Sequence, residues 1–443
     1  MMRRGYTFPI TFILLCSALL LAGCDDTIST SRSSSSVSSS SVSEATALSF
    51  IEEPHLISAP GGTVYTGPAV TENGFYEILD PLDSAYIGGN IVYTDFSTRN
   101  RVYLSSQINT DHTSEDDASY MPSLIGGSGI LTDQNRLYVV KFGKPGLVED
   151  FGKAGLSILY RMELNGANRK TIYLQANQII VPDSGILAAD GELIFLICEV
   201  QSDLTEHIIL CKTDFVHEQT EKICDLSEQI DGRVFLSGFS SNRILLYQYA
   251  YDDNSSRAVR CWSYDIADGS CYPYFEFFDG NFALMGRQGE LYYIKQENNQ
   301  FSLYQIDPDA ENHSILLCEK LAPTAGNYDT VFPGNNSLYP YFSFYFENSQ
   351  TLEGARYQWN QEENIWLKEA LVHNSKDVRI RGILKDQFLI QIGDIKQGFV
   401  NHLPDGTPFQ DTMLMSQHAL IQQEDYWNNV PNYIYFTDDV YKD

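Results

Sequence analysis

Positive charge is scarce in this chain: 29 lysines and arginines stand against 58 acids, a formal net charge of −29. That imbalance repels phosphate, so nucleic acid, anionic lipid headgroups and teichoic acids are excluded as partners held by charge. Signatures of catalysis are missing too. The eight histidines (His55, His112, His207, His217, His313, His373, His402 and His418) show no HExxH or HxH spacing, which removes the local pattern of a zinc hydrolase. Gly126-Gly127-Ser128-Gly129-Ile130 lacks the last glycine of a nucleophile elbow and reads as a turn. Asp307-Pro308-Asp309-Ala310-Glu311 begins like a calcium loop. Asn312 stands where the sharp turn needs glycine and Cys318 where the bidentate glutamate belongs, so a hairpin turn is expected. Phe142-Gly143-Lys144-Pro145-Gly146 and Phe151-Gly152-Lys153-Ala154-Gly155 lack Walker spacing and read as two parts of one inter-strand loop. No cofactor, metal or catalytic residue is expected from these patterns. Helical periodicity is absent apart from a short turn of helix around Gln422 to Trp427, and no second apolar run of membrane length occurs.

The amino terminus carries an address. Arg3 and Arg4 precede an apolar run from Phe8 to Ala22, and Leu21-Ala22-Gly23-Cys24 closes it in the pattern after which bacteria attach diacylglycerol to a cysteine thiol. The run is shorter than the ~20 residues a spanning helix needs, so residues 1–23 are expected to be a signal peptide and Cys24 the lipidated first residue. Two or more acyl chains anchor firmly, since each buried methylene contributes ~0.8 kcal/mol. Removing residues 1–23 takes away two arginines and no acid, leaving −31. Residues 24–55 are mostly serine in their first half, bury nothing and are expected to act as a disordered spacer. The expected location is the outer face of the cytoplasmic membrane, or the periplasmic side in a two-membrane envelope.

Residues 56–443 repeat. Seven times a polar turn leads into an aromatic-rich strand, at Phe75, Leu137, Leu193, Ile244, Leu291, Leu338 and Phe388, with intervals of 62, 56, 51, 47, 47 and 50 residues. A second hairpin recurs at Tyr160 to Gly166, Tyr264 to Gly269, Tyr304 to Asp309 and Asn401 to Gly406, where Asn-Gly and Asp-Gly supply the positive φ of tight turns. Two hairpins make a four-stranded blade, and strand repeats of this period stack into a ring. An all-β propeller follows, with seven blades expected and six or eight as neighbouring counts. Closure is expected to pair residues 63–70, or the end strand 433–436, with the blade at the opposite terminus.

Ile91-Val92-Tyr93-Thr94-Asp95 and Leu159 to Arg169 resemble the YWTD-type propeller repeat, a Tyr-Trp-Thr-Asp strand with a later Leu-Asp-Gly-Ser-Asn-Arg hairpin. The combination of lipobox, serine linker and such repeats is similar to uncharacterised propeller lipoproteins of Gram-positive anaerobes. The YWTD resemblance implies six blades, against seven from the turns, and it brings no catalytic residue.

Cys198, Cys211 and Cys224 are spaced by 13 and 13, and midpoints at Leu204-Thr205 and His217-Glu218 fall where the turns of the third unit should be. That register puts the thiols in one lateral row ~4.5 to 5.5 Å apart, within disulfide reach. They read as small apolar residues of a blade face, with a bridge from Cys211 to Cys198 or Cys224 as the alternative. Trp262, Trp359 and Trp366 fall in strands and read as inter-blade packing. Glu115-Asp116-Asp117 and Asp438-Asp439 read as solvated acids. The function expected from anchor, spacer and ring is non-catalytic binding or scaffolding of a protein or glycan. A polysaccharide hydrolase or lyase with acids at the channel mouth is one alternative, and an envelope assembly or sensory subunit docking on a membrane complex is another; fold alone does not choose among them.

Overall fold

The computed structural model describes residues 48–60, 67–79, 88–105, 112, 116–122, 126–144, 152–251, 257–278, 283–285, 290–297, 300–323, 328–334, 337–374, 376–402 and 408–437. Seven antiparallel meanders of four strands each form a seven-bladed β-propeller. The first strand of each blade lines the axis. In order these are Ala69–Val70, Ser128–Thr132, Ile186–Ala189, Val234–Ser240, Ala283–Met285, Thr330–Pro333 and Arg379–Ile383.

Burial grades outward. Second strands are enclosed on both faces by neighbouring blades, so Leu193 to Ile197 and Leu137 to Val140 are all at most 1% exposed. Outer strands such as Gln219–Asp225 alternate with water and carry Glu221 and Lys222. Blades therefore cohere through side chains passed across the gaps: Ile194, Leu196 and Leu210 of blade 3 meet Leu236, Ile244, Leu246 and Trp262 of blade 4 in one cluster.

The predicted turns ahead of Phe75, Leu137, Leu193, Ile244 and Phe388 join the first strand of a blade to its second, and those ahead of Leu291 and Leu338 lie largely outside the described residues. Asp190-Gly191 and Ser241-Asn242 have both central residues at positive φ, as a two-residue turn matching strand twist requires. In blade 6 the second strand starts later than expected, at Tyr341. In blade 3 the four expected strands are found at Ile186–Ala189, Glu192–Val200, Glu206–Asp214 and Gln219–Asp225. The short helix is Gln423–Trp427.

Three expectations are corrected. Tyr160 to Gly166, Tyr264 to Gly269 and Tyr304 to Asp309 do join third to fourth strands, but Asn401 to Gly406 does not. Blade 7 pairs Gln387–His402 with Pro408–Gln422 from Gln387↔Gln422 to His402↔Pro408, with one bulge between Gln391 and Gly393, so residues 401–406 fall between the second and third strands, 403–407 lying outside the described residues. Past Gly393↔Gln417 no third strand joins among the described residues, and the pair continues as a ribbon for roughly 30 Å at ~3.4 Å per residue. Second, chain ahead of residue 56 already packs on the ring, with Leu48 and Phe50 against the blade 3–4 cluster.

Third, among the described residues no strand is exchanged at the closure. Ala69–Val70 and Ile434–Tyr435 each pair within their own blade. Blades 7 and 1 join through an apolar cluster of Phe75, Leu389, Leu420 and Phe436, helped by a parallel bridge between Asn100 and Thr437.

Candidate functional site

The axial channel holds part of the chain itself. His55–Ser58 lies antiparallel on the inner strand of blade 3, pairing His55↔Ala188, Leu56↔Leu187 and Ser58↔Ile186, and it also touches the inner strands of blades 2 and 4. Because strand side chains alternate, Leu56 enters the blade 3–4 cluster while Ile57 packs on the blade 2–3 cluster. The approach is fastened. Asp190 accepts the backbone N–H groups of Ile51 and Glu52, both at 2.9 Å. Phe50 meets Phe239 edge-on at 6.3 Å, with the Lys212 ammonium 5.7 Å from its ring centre. At the far end a β-carbon on Gly185 (φ +87°) would lie 3.2 Å from Pro60 Cδ and 2.6 Å from the Leu236 carbonyl oxygen, so glycine makes room for the chain as it leaves. Residues 48–60 thus run from the hairpin end of blade 3, past the axis, towards the opposite face.

The wall at blades 6 and 7 is polar and aromatic. Phe332, on the inner strand of blade 6, is 40% exposed and stacks with Tyr345 at 6.4 Å. Arg356 of the same blade face pairs with Asp377 ahead of blade 7. Arg379 and Arg381 sit on blade 7's inner strand. Arg381 donates from Nε to Gln391 Oε1 at 2.9 Å, and burial followed by the neighbouring Arg379 pushes it down to about 10. Gln391 Nε2 donates to Asp394 Oδ1 and Ser416 Oγ, each at 3.1 Å.

Beside Gln391 in register is His418, and there the polar ladder crosses to blade 1. His418 Nδ1 lies 3.0 Å from Glu77 Oε1, an ion-pair distance without aligned hydrogen-bond geometry, and its Nε2 has no partner among the described residues. Arg101 completes the group, donating to Glu77 Oε2 at 2.6 Å and to Thr94 Oγ1 at 3.1 Å. Burial alone would raise the Glu77 carboxyl; the combined pull of His418 and Arg101 outweighs it and holds the group below its usual range. A stacking face beside guanidinium and carboxylate groups can grip a polar ring-bearing ligand.

At blade 3's turn into the channel, Asp183 (φ 57°) has a buried Oδ1 without a partner among the described residues. Burial raises its carboxyl, partly offset by Arg233.

Cys24 lies outside the described residues. Cys198, Cys211 and Cys224 do not form a row. Observed pairs are Cys198↔Ile208, Cys211↔Phe195 and Leu210↔Cys224. The Val200↔Glu206 turn centres earlier than the midpoint used, and a bulge falls between Leu210 and Cys211. Cys211 faces the blade 2–3 cluster and Cys224 the blade 3–4 cluster, on opposite faces of one sheet, and both are free thiols, as is Cys198.

Other singled-out residues are structural. Trp262, Trp359 and Trp366 pack between blades, as does Trp427. Asp307 to Glu311 form a hairpin turn, from which Asp309 grips Arg243 and Ser241 of blade 4. Lys144 N–H reaches the Gly155 carbonyl at 2.8 Å, joining the two glycine-lysine stretches in one loop. Asp117 is not solvated: it is 1% exposed and accepts from the N–H and hydroxyl of Ser119 at 2.8 Å each. Asp438-Asp439 lies outside the described residues. Glu77, His418 and Phe332 carried no local signal; Asp190 belongs to the polar turn ahead of Leu193, which announces a hairpin but not its hold on Ile51 and Glu52.

No family model and no curated protein matches the chain. Among solved structures it is similar to the β-propeller domain of the Trilobed protease from Pyrococcus furiosus, described as having an open velcro topology, at 12% identity and TM-score 0.43 over 88% of this chain and 100% of that one. An oligogalacturonate lyase in complex with manganese aligns at 11% identity and TM-score 0.39, over 82% of this chain and 99% of that one. A GH74 xyloglucanase from Xanthomonas campestris aligns at 14% identity and TM-score 0.38, over 81% of this chain and 55% of that one.

Proposed function

We propose that the chain is a lipid-anchored surface module: Cys24 carries the diacylglycerol, the serine tract spaces the ring from the bilayer, and the ring binds a protein or glycan without turning it over. The observation that carries this reading is the fastening of residues 48–58 into the ring by Asp190 and by pairing with Ile186–Ala189. A leader built into the core makes a sound handle for holding a rigid ring at a surface. Replacing Cys24 by serine tests the address: release from the membrane fraction into the soluble fraction is expected, and continued full membrane association overturns it. For the binding role, a glycan and peptide array probed with the purified chain should show retention without cleavage products.

A second reading, action on polysaccharide, draws on the exposed Phe332–Tyr345 stack beside Asp377. Ring stacking contributes ~0.5 to 1.5 kcal/mol, so Phe332→Ala should weaken a bound glycan by up to about tenfold. Product release from any polysaccharide in the array would favour this second reading over the first.

A further inference from the structure

Strand twist turns the outer strand of a blade crosswise to the inner one, so the end of one outer strand approaches the start of the next. At the blade 3–4 gap those positions are cysteines. Cys224 is the last residue but one of Gln219–Asp225, and Cys271 is the first of Cys271–Phe278. Both pack on a single apolar cluster that also holds Leu226, Tyr264 and Ile266. Tyr264 is the cross-strand partner of Cys271, and its phenol feels both thiols. Both cysteines are half-buried and free, whereas Cys211 and Cys261 are enclosed at 2% and 0% exposure.

We infer that Cys224 and Cys271 are an oxidation site whose disulfide clamps blade 3 to blade 4. The oxidant is a small disulfide such as oxidised glutathione. One cysteine thiolate attacks it, forming a mixed disulfide and releasing one glutathione thiolate. The second cysteine loses its proton and displaces the other glutathione. Two cysteine thiols become one S–S bond, the two electrons reduce one glutathione disulfide to two thiols, and those take up the two protons. Burial, and then the nearby Cys224, pushes the Cys271 thiol up to about 12, and burial raises Cys224 as well. Thiolate is therefore a minor species at neutral pH, and closure speeds up as pH rises.

The test incubates the purified full chain with oxidised glutathione at mildly alkaline pH, alkylates it, and maps peptides without reduction. A peptide joining Cys224 to Cys271, two fewer free thiols than the reduced chain, and a raised thermal midpoint reversed by reductant are expected. Cys224→Ser and Cys271→Ser should each abolish the shift and leave the partner free or singly glutathionylated. The half-buried Cys318 reports that the reagent acted. Separate adducts on Cys224 and Cys271, pairing of either with another cysteine, or survival of both as thiols while Cys318 is modified would overturn it.

Discussion

At the scale of single residues, two partly buried acids give opposite pH signatures. Glu77 has a depressed folded-state pKa because His418 and Arg101 flank it. Its contribution is fully present above the unfolded-state value, ~4.3, and is lost as pH falls through the folded value. Breaking a buried pair from one side costs ~3 to 5 kcal/mol. Glu77→Gln should therefore lower urea-denaturation stability by about that much at neutral pH and flatten the loss seen on acidification; an unchanged acid limb would contradict it. Asp183 is raised by burial. It favours the folded state while protonated and opposes it as pH rises, so Asp183→Asn should raise the thermal midpoint at neutral pH and leave it nearly unchanged in acid. A midpoint lowered at neutral pH would show that the carboxylate has a stabilising partner.

At the scale of elements, the N-terminal strand and the seam cluster are the parts most open to test. Asp190→Gly removes the acceptor for Ile51 and Glu52 while keeping the positive φ of the turn, and should speed proteolytic cleavage within residues 48–60 while leaving the global midpoint nearly unchanged, as limited proteolysis with mass mapping reads. Phe75 is fully buried against Phe96, Phe436 and His418, so Phe75→Ala should cost ~3 to 5 kcal/mol in denaturant melts. The blades were legible because their turns are local: Asp190-Gly191 or Ser241-Asn242 announces a hairpin whatever the rest of the chain does. Local chemistry does not say which pair of strands a turn joins, which is why Asn401 to Gly406 was placed in the wrong hairpin. Nor does equal spacing fix a register, since turn length and the bulge at Leu210/Cys211 displaced all three cysteines. Glu77 and His418 belong to opposite ends of the chain, and His55–Ser58 pairs with a strand well over a hundred residues on, so nothing nearby in sequence could reveal either.

At the scale of the whole molecule, the chain itself leads from each blade into the next, except between the last and the first. There the ring relies on a small apolar cluster, one buried ionic group and the Asn100–Thr437 bridge. Stability is not uniform across a structure, and native-state hydrogen exchange should find amides of blades 7 and 1 opening before those of blades 3 and 4. Earlier opening of blades 3 and 4 would refute that order. The strand His55–Ser58 adds a mechanical property. It lies along Ile186–Ala189, so tension on the preceding chain pulls it lengthwise, in shear, and its hydrogen bonds share the load rather than parting one at a time. A tug from that end is also received beside the axis, on three neighbouring blades together, where it cannot peel an outer edge.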